Sequence, residues 1–224
     1  MPSGRTSLYY DLLDGFKQPG CSICRFSLRA VERFFDALTY ENTNDPSIRN
    51  GVRAARGFCN RHTLQYLSFG DELGTAIIYR DLLHTIISAL EEVAPEGLAG
   101  VAGTLTDPSG DRQAEHALSS LAPEDVCLAC QRLQGSEDHY LATLLQHLHS
   151  RDFAGAYEQS SGLCAIHFGP ALEGCRSGAT RDLLIRTQQR SWDTWLERME
   201  TGNLDAATLQ QGVAMAVGGK GLRP

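Results

Sequence analysis

Apolar residues recur along this chain at intervals of three and four, the period of a helix with one buried face. Leu8, Tyr9, Leu12, Leu13 and Phe16 share a face that begins at Thr6 or Ser7 and ends before Pro19-Gly20. Phe26, Leu28, Val31, Phe34, Phe35 and Leu38 predict a second helix over 25–40. Asp45-Pro46 reads as a helix start, Asp as the cap and Pro at the first helical position, for a short helix over 47–55. A further helix opens at Cys59 and runs to Leu67, and a long one spans 71–92. Its apolar residues, Leu73, Ile77, Ile78, Leu82, Leu83, Ile86, Ile87 and Leu90, cover so wide an arc that near-central burial is expected. The second half gives helices over 131–149, with Gly135 a weak point, and over 152–159, 164–173 and 180–199. No stretch alternates apolar and polar residues as a half-buried strand does, so the fold class is all-α.

The cysteines add a second period. Cys21-Ser-Ile-Cys24 is followed by Cys59-Asn-Arg-His62, and Cys127-Leu-Ala-Cys130 by Cys164-Ala-Ile-His167. The offset between the two copies is 106 residues for the first motif (127 − 21) and 105 for the second (164 − 59). Gly57-Phe58-Cys59 answers Gly162-Leu163-Cys164, and Pro19 and Pro123 each precede a Cys-x-x-Cys. An internal repeat of this kind organises the whole chain. It predicts two pseudo-equivalent helical halves, 1–93 and 126–201, joined by a Gly-, Pro- and Asp-rich linker over 94–125 and followed by a flexible tail over 202–224.

Thiolate and imidazole are preferred zinc ligands, and four of them close a tetrahedral structural site. Cys-x-x-Cys brings two sulfurs to one ion from a single turn; Cys-x-x-His places a sulfur and an imidazole on one helical face. Each repeat thus holds a Cys3His set. The expected ligands are Cys21, Cys24, Cys59 and His62 for one site, and Cys127, Cys130, Cys164 and His167 for the other. Exchange of ligand pairs between the halves is the competing arrangement. Gly57 and Gly162, two residues before a ligand, permit the bend that such motifs need. The ion expected is Zn2+ in a structural role; the alternative is an iron–sulfur cluster, in an electron-transfer or redox-sensing protein that uses the same ligands, since cysteine thiolates hold both. Thiol–disulfide exchange fits less well, because no βαβ pattern surrounds either Cys-x-x-Cys.

The order Cys-x-x-Cys, helix, Asn44-Asp45-Pro46, Gly57-Phe58-Cys59-x-x-His62 and long apolar helix resembles an uncharacterised bacterial family of duplicated Cys-x-x-Cys/Cys-x-x-His proteins. The resemblance covers Gly20 to Leu90 closely and Val126 to Met199 more loosely, where the Asn-Asp-Pro element is missing. It implies the duplication and brings no activity with it.

Composition narrows the function further. With 20 Lys plus Arg against 27 Asp plus Glu the net charge is −7, which argues against general nucleic-acid or anionic-membrane binding. The first fifteen residues lack the apolar core of a signal peptide, and the oiliest stretch, Leu73 to Leu90, is broken by Arg80, Asp81 and His84. The expectation is a cytoplasmic metal-binding protein that acts as a scaffold through a protein partner, without a membrane. Other features receive structural readings: His84 a core histidine, Cys175 an incidental thiol, Trp192 and Trp195 core or interface, Glu137 to His149 a solvated face, and Arg49, Arg53 and Arg56 a basic face.

Overall fold

The computed structural model describes residues 5–93, 115, 119, 121–202 and 205–219. All its elements are helical: α1 (Ser7–Phe16), α2 (Ser22–Ala37, extended by a π-helical turn over Leu38–Asn42), α3 (Pro46–Ala54), α4 (Asn60–Leu67), α5 (Glu72–Val93), α6 (Leu128–His147), α7 (Arg151–Glu158), α8 (Ala165–Glu173), α9 (Gly178–Glu200) and α10 (Ala206–Val217). The all-α class therefore stands, and among the described residues there is no strand.

The chain divides into two compact units, but not into consecutive halves. One unit comprises Met1–Glu32 and Arg132–Pro224; the other is the intervening Arg33–Gln131. This differs from the expected division at 1–93 and 126–201. The cause lies in α2 and α6, which begin in one unit and end in the other, so each Cys-x-x-Cys is separated from its own repeat's Cys-x-x-His. Most of the expected 94–125 linker lies outside the described residues. Its end is fixed, however: Glu124 N–H donates to Ala54 O at 2.8 Å and the Glu124 carboxylate meets Arg56 at 3.0 Å.

In the discontinuous unit the core is aromatic. Phe153, fully buried, stacks on Tyr9 at 5.0 Å and meets Phe16 edge-on at 5.3 Å; Phe16 in turn meets Tyr157. Tyr140 stacks on Phe26 at 4.7 Å and its hydroxyl donates to Asp11 at 2.9 Å. The expected flexible tail holds α10. Asp205 caps it by accepting from Thr208 N–H, and Gly212 lets it approach Trp195 and Met199 so closely that a Cβ there would meet Met199 Cε at 2.8 Å. Met215 is consequently buried. An Asp cap followed by a Leu-, Ala- and Gln-rich run is a helix signal legible in the sequence. Trp195 belongs to this core, whereas Trp192 is exposed and meets Phe168 edge-on.

In the inserted unit Phe35 is the centre, with Phe58 at 5.2 Å and Tyr66 at 5.4 Å. Asp45 caps α3 as expected, accepting from Ser47 and Ile48 N–H. Arg49 and Arg53 both clasp Asp81 of α5, so the basic face of α3 is an ion-pair network. That clasp, with Gly74, Ile78 and Leu82 buried, fixes one face of α5. Near-central burial is not observed: Leu73, Leu83, Ile87 and Leu90 are exposed, as is His84. Glu72–Glu91 is long and apolar enough to cross a membrane, the one such helix among those described, and 17% of the segment is buried.

These contacts rank the cost of two substitutions. Phe153→Ala should cost roughly 3–5 kcal/mol, because a fully packed ring is removed from an aromatic cluster. Asp45→Ala should cost clearly less, because it removes one exposed helix cap. Urea unfolding of the two variants measures the difference.

Candidate metal centres

Cys21 and Cys164 each sit in extended or turning backbone immediately before a helix, and so do Cys59 and Cys127. From there a helical turn carries Cys24, His167, His62 and Cys130 to the same side as the first ligand of each motif. The expected bends are present, with φ of +98° at Gly57 and +69° at Gly162, a region glycine occupies without strain. All eight expected ligands are brought into two groups of four.

The grouping differs from the expected one. Cys21 and Cys24 meet Cys164 and His167; Cys127 and Cys130 meet Cys59 and His62. Convergence within each repeat is thus corrected to exchange between repeats. The reason is the packing of α2. Phe34 and Phe35, in its last turns, hold Phe58, and Phe35 also holds Tyr66, the residues that flank Cys59 and His62. Nearly the whole 16-residue helix lies between those contacts and Cys21.

In the discontinuous unit the group is buried throughout. His167 Nδ1 lies 3.5 Å from Cys21 Sγ, 3.4 Å from Cys24 Sγ and 3.2 Å from Cys164 Sγ, and the Cys24 and Cys164 sulfurs are 3.5 Å apart. The other ring nitrogen, Nε2, lies 3.1 Å from the buried Glu137 carboxylate. A carboxylate behind a histidine fixes ring orientation and raises ligand basicity. Glu137 thus departs from the solvated face that the sequence suggests; only its place in the helix, seven residues beyond Cys130, points elsewhere. Gly219 N–H donates to Cys24 Sγ at 3.3 Å, so the end of α10 closes over the group.

In the inserted unit His62 Nδ1 lies 3.3 Å from Cys59 Sγ, 3.7 Å from Cys127 Sγ and 3.3 Å from Cys130 Sγ, with the Cys59 and Cys130 sulfurs 3.7 Å apart. This group is more open: Cys59 reaches the surface and Cys130 is half-buried. Arg61 stands 2.8 Å from His62 Nε2, where the other group has a carboxylate. Cys175, outside both groups, is buried and donates to Ser177 O at 3.3 Å.

The electrostatics are those of a donor cluster. Burial pushes the Cys21 thiol well above its ordinary pKa, with help from its thiol neighbours. Burial and then the charge of Cys127 raise Cys130 to about 12. Hydrogen bonds from Cys21 and Cys24 lower Cys164 to about 3, and the His167 and Ile166 N–H groups at the start of α8 add to this. Burial lowers the His167 imidazole, but Cys24 and Glu137 outweigh it and hold it at about 9. Each group could hold one metal ion.

Similarity to known proteins extends over most of the chain. A Caldicellulosiruptor sp. (strain Rt8B.4) protein, described as an uncharacterized 23.9 kDa protein in the xynA 3' region, is 27% identical over 191 residues, 84% of this chain and 83% of its own length. No solved structure matches. The model of the family of unknown function DUF6062 matches residues 10–213, a span that takes in all eight ligand-type residues, and the chain belongs to that family.

Proposed function

We propose that the two groups are structural zinc sites, one in each unit, and that the protein is a cytoplasmic scaffold whose folded state depends on them. The observation that supports this most directly is the spacing of the donor atoms, 3.2–3.7 Å for the close pairs. Ligands about 2.0–2.3 Å from one ion, at tetrahedral angles, stand roughly 3.5 Å apart. An iron–sulfur cluster divides its four protein ligands between at least two irons bridged by sulfide, so some of the ligand separations must be wider than the 4.8 Å within which all four donors lie here. Four protein ligands per ion leave no open position for water or substrate, which favours a structural over a hydrolytic role. Cys21, Cys24, Cys164 and His167 would hold the buried ion, and Cys59, His62, Cys127 and Cys130 the more open one.

Native protein purified without added metal should be colourless and hold two zinc ions per chain, measured by elemental analysis. Iron with inorganic sulfide and visible absorption would establish the cluster reading instead.

The exchanged grouping is tested by a double variant. Cys21→Ser and Cys164→Ser should each remove one metal equivalent, and the two together should remove only that same one. Ligand sets confined to each repeat would lose both equivalents in the double variant.

Glu137→Gln should weaken the buried site about tenfold to a hundredfold and leave the other unchanged. Competition against a chromophoric chelator reads the two affinities separately. Equal weakening of both sites, or of neither, would mean that Glu137 does not support His167 as a ligand.

A further inference from the structure

The exposed side of α5 has a period of its own. Leu73, Ala76, Arg80, Leu83, Ile87 and Leu90 are all exposed and are spaced 3, 4, 3, 4 and 3 apart. That is the a/d spacing of a coiled-coil seam, distinct from the Gly74, Ile78, Leu82 stripe buried within the unit. The seam extends about 26 Å at 1.5 Å per residue. Leu73, Leu83, Ile87 and Leu90 are 74%, 56%, 50% and 42% exposed, an amount of ordered apolar surface that marks an interaction site rather than scattered surface residues. A shallow depression runs along its middle, lined by Ala76, Tyr79, Arg80, Leu83, His84 and Ile87.

We infer that the later part of this seam, Arg80 to Leu90, is covered by α5 of a second copy of the chain, packed antiparallel as a two-fold dimer. The charges choose the occupant and its direction. Arg80 is a seam residue; parallel, in-register pairing would set its guanidinium against its own copy. Antiparallel pairing with Leu83 against the other copy's Ile87 puts Arg80 beside the other copy's Leu90 and next to its Glu91. Two-fold symmetry makes that ion pair twice. Arg80 and Glu91 have no ion-pair partner among the described residues, so both are free to form it. The helix is already folded and clasped through Asp81, so association does not bear the cost of ordering it.

A bilayer is the other occupant that the composition of α5 would suit. It is disfavoured because spanning would pull Ile78 and Leu82 from the core and break the Asp81 clasp, and because Arg80 and His84 lie on the exposed side. Nothing in this dimer depends on which metal the chain holds.

Sedimentation equilibrium of the full chain at micromolar concentration should give twice 24.5 kDa. Leu83→Glu with Ile87→Glu should weaken the dimer about thirtyfold or more, as loss of central apolar anchors does, with helix content and metal content unchanged. Arg80→Glu and Glu91→Arg should each weaken it, and the two combined should restore it. A monomeric wild-type chain, a dimer indifferent to the Leu83/Ile87 variant, or no restoration by the charge exchange would each overturn the inference. So would co-sedimentation of the chain, as a monomer, with phosphatidylcholine/phosphatidylglycerol vesicles.

Discussion

Three thiols and an imidazole within 4.8 Å of one another are a costly arrangement in a low-dielectric interior. Ionised together, the sulfurs repel; protonated, they compete for hydrogen bonds that cannot all be made. The raised Cys21 and Cys130 and the lowered Cys164 are three sides of that frustration. A divalent cation removes it in one step, because it lets every thiol ionise and turns repulsion into coordination. The geometry of both units is suited to such an ion. Each needs a Cys-x-x-Cys turn and a Cys-x-x-His turn facing one another, and the aromatic clusters around Phe35 and Phe153 hold the helices that keep them so.

The two groups are alike in donors and unlike in setting. One is sealed by Gly219 and backed by Glu137; the other has a surface cysteine and an arginine beside its histidine. The second group therefore reaches solvent, whereas the first is buried. This difference arises partly inside the Cys-x-x-His motif, where one copy has Arg61 and the other Ile166, and partly from what surrounds the motifs.

The ligand-type residues and the helices that position them are legible in the sequence, because ligand chemistry and helical periodicity are local. Thr6 and Asp45 start helices, and the glycines at 57 and 162 bend the chain, where their residue types predict. What is not legible is long-range. Matched spacing describes Cys21, Cys24, Cys59 and His62 equally well as one site or as two halves of different sites; the side on which Phe58 and Tyr66 pack decides between them. Glu137 is hidden for the same reason, being remote in sequence from the histidine it supports. The apolar arc of α5 is indeed too wide for one buried face, yet its width alone does not tell burial within the chain from exposure on its surface.

The insertion of one unit within the other imposes an order on synthesis. By the time Gln131 has emerged from the ribosome, every ligand of the inserted unit is available. Cys24 must wait for Cys164, 140 residues later, which at roughly 5–20 residues per second is on the order of ten seconds. Until then the Cys21–Cys24 pair has neither Cys164 nor His167 to group with. The more open site is thus the first to assemble, and the sealed one is completed only when α10 closes the chain over it.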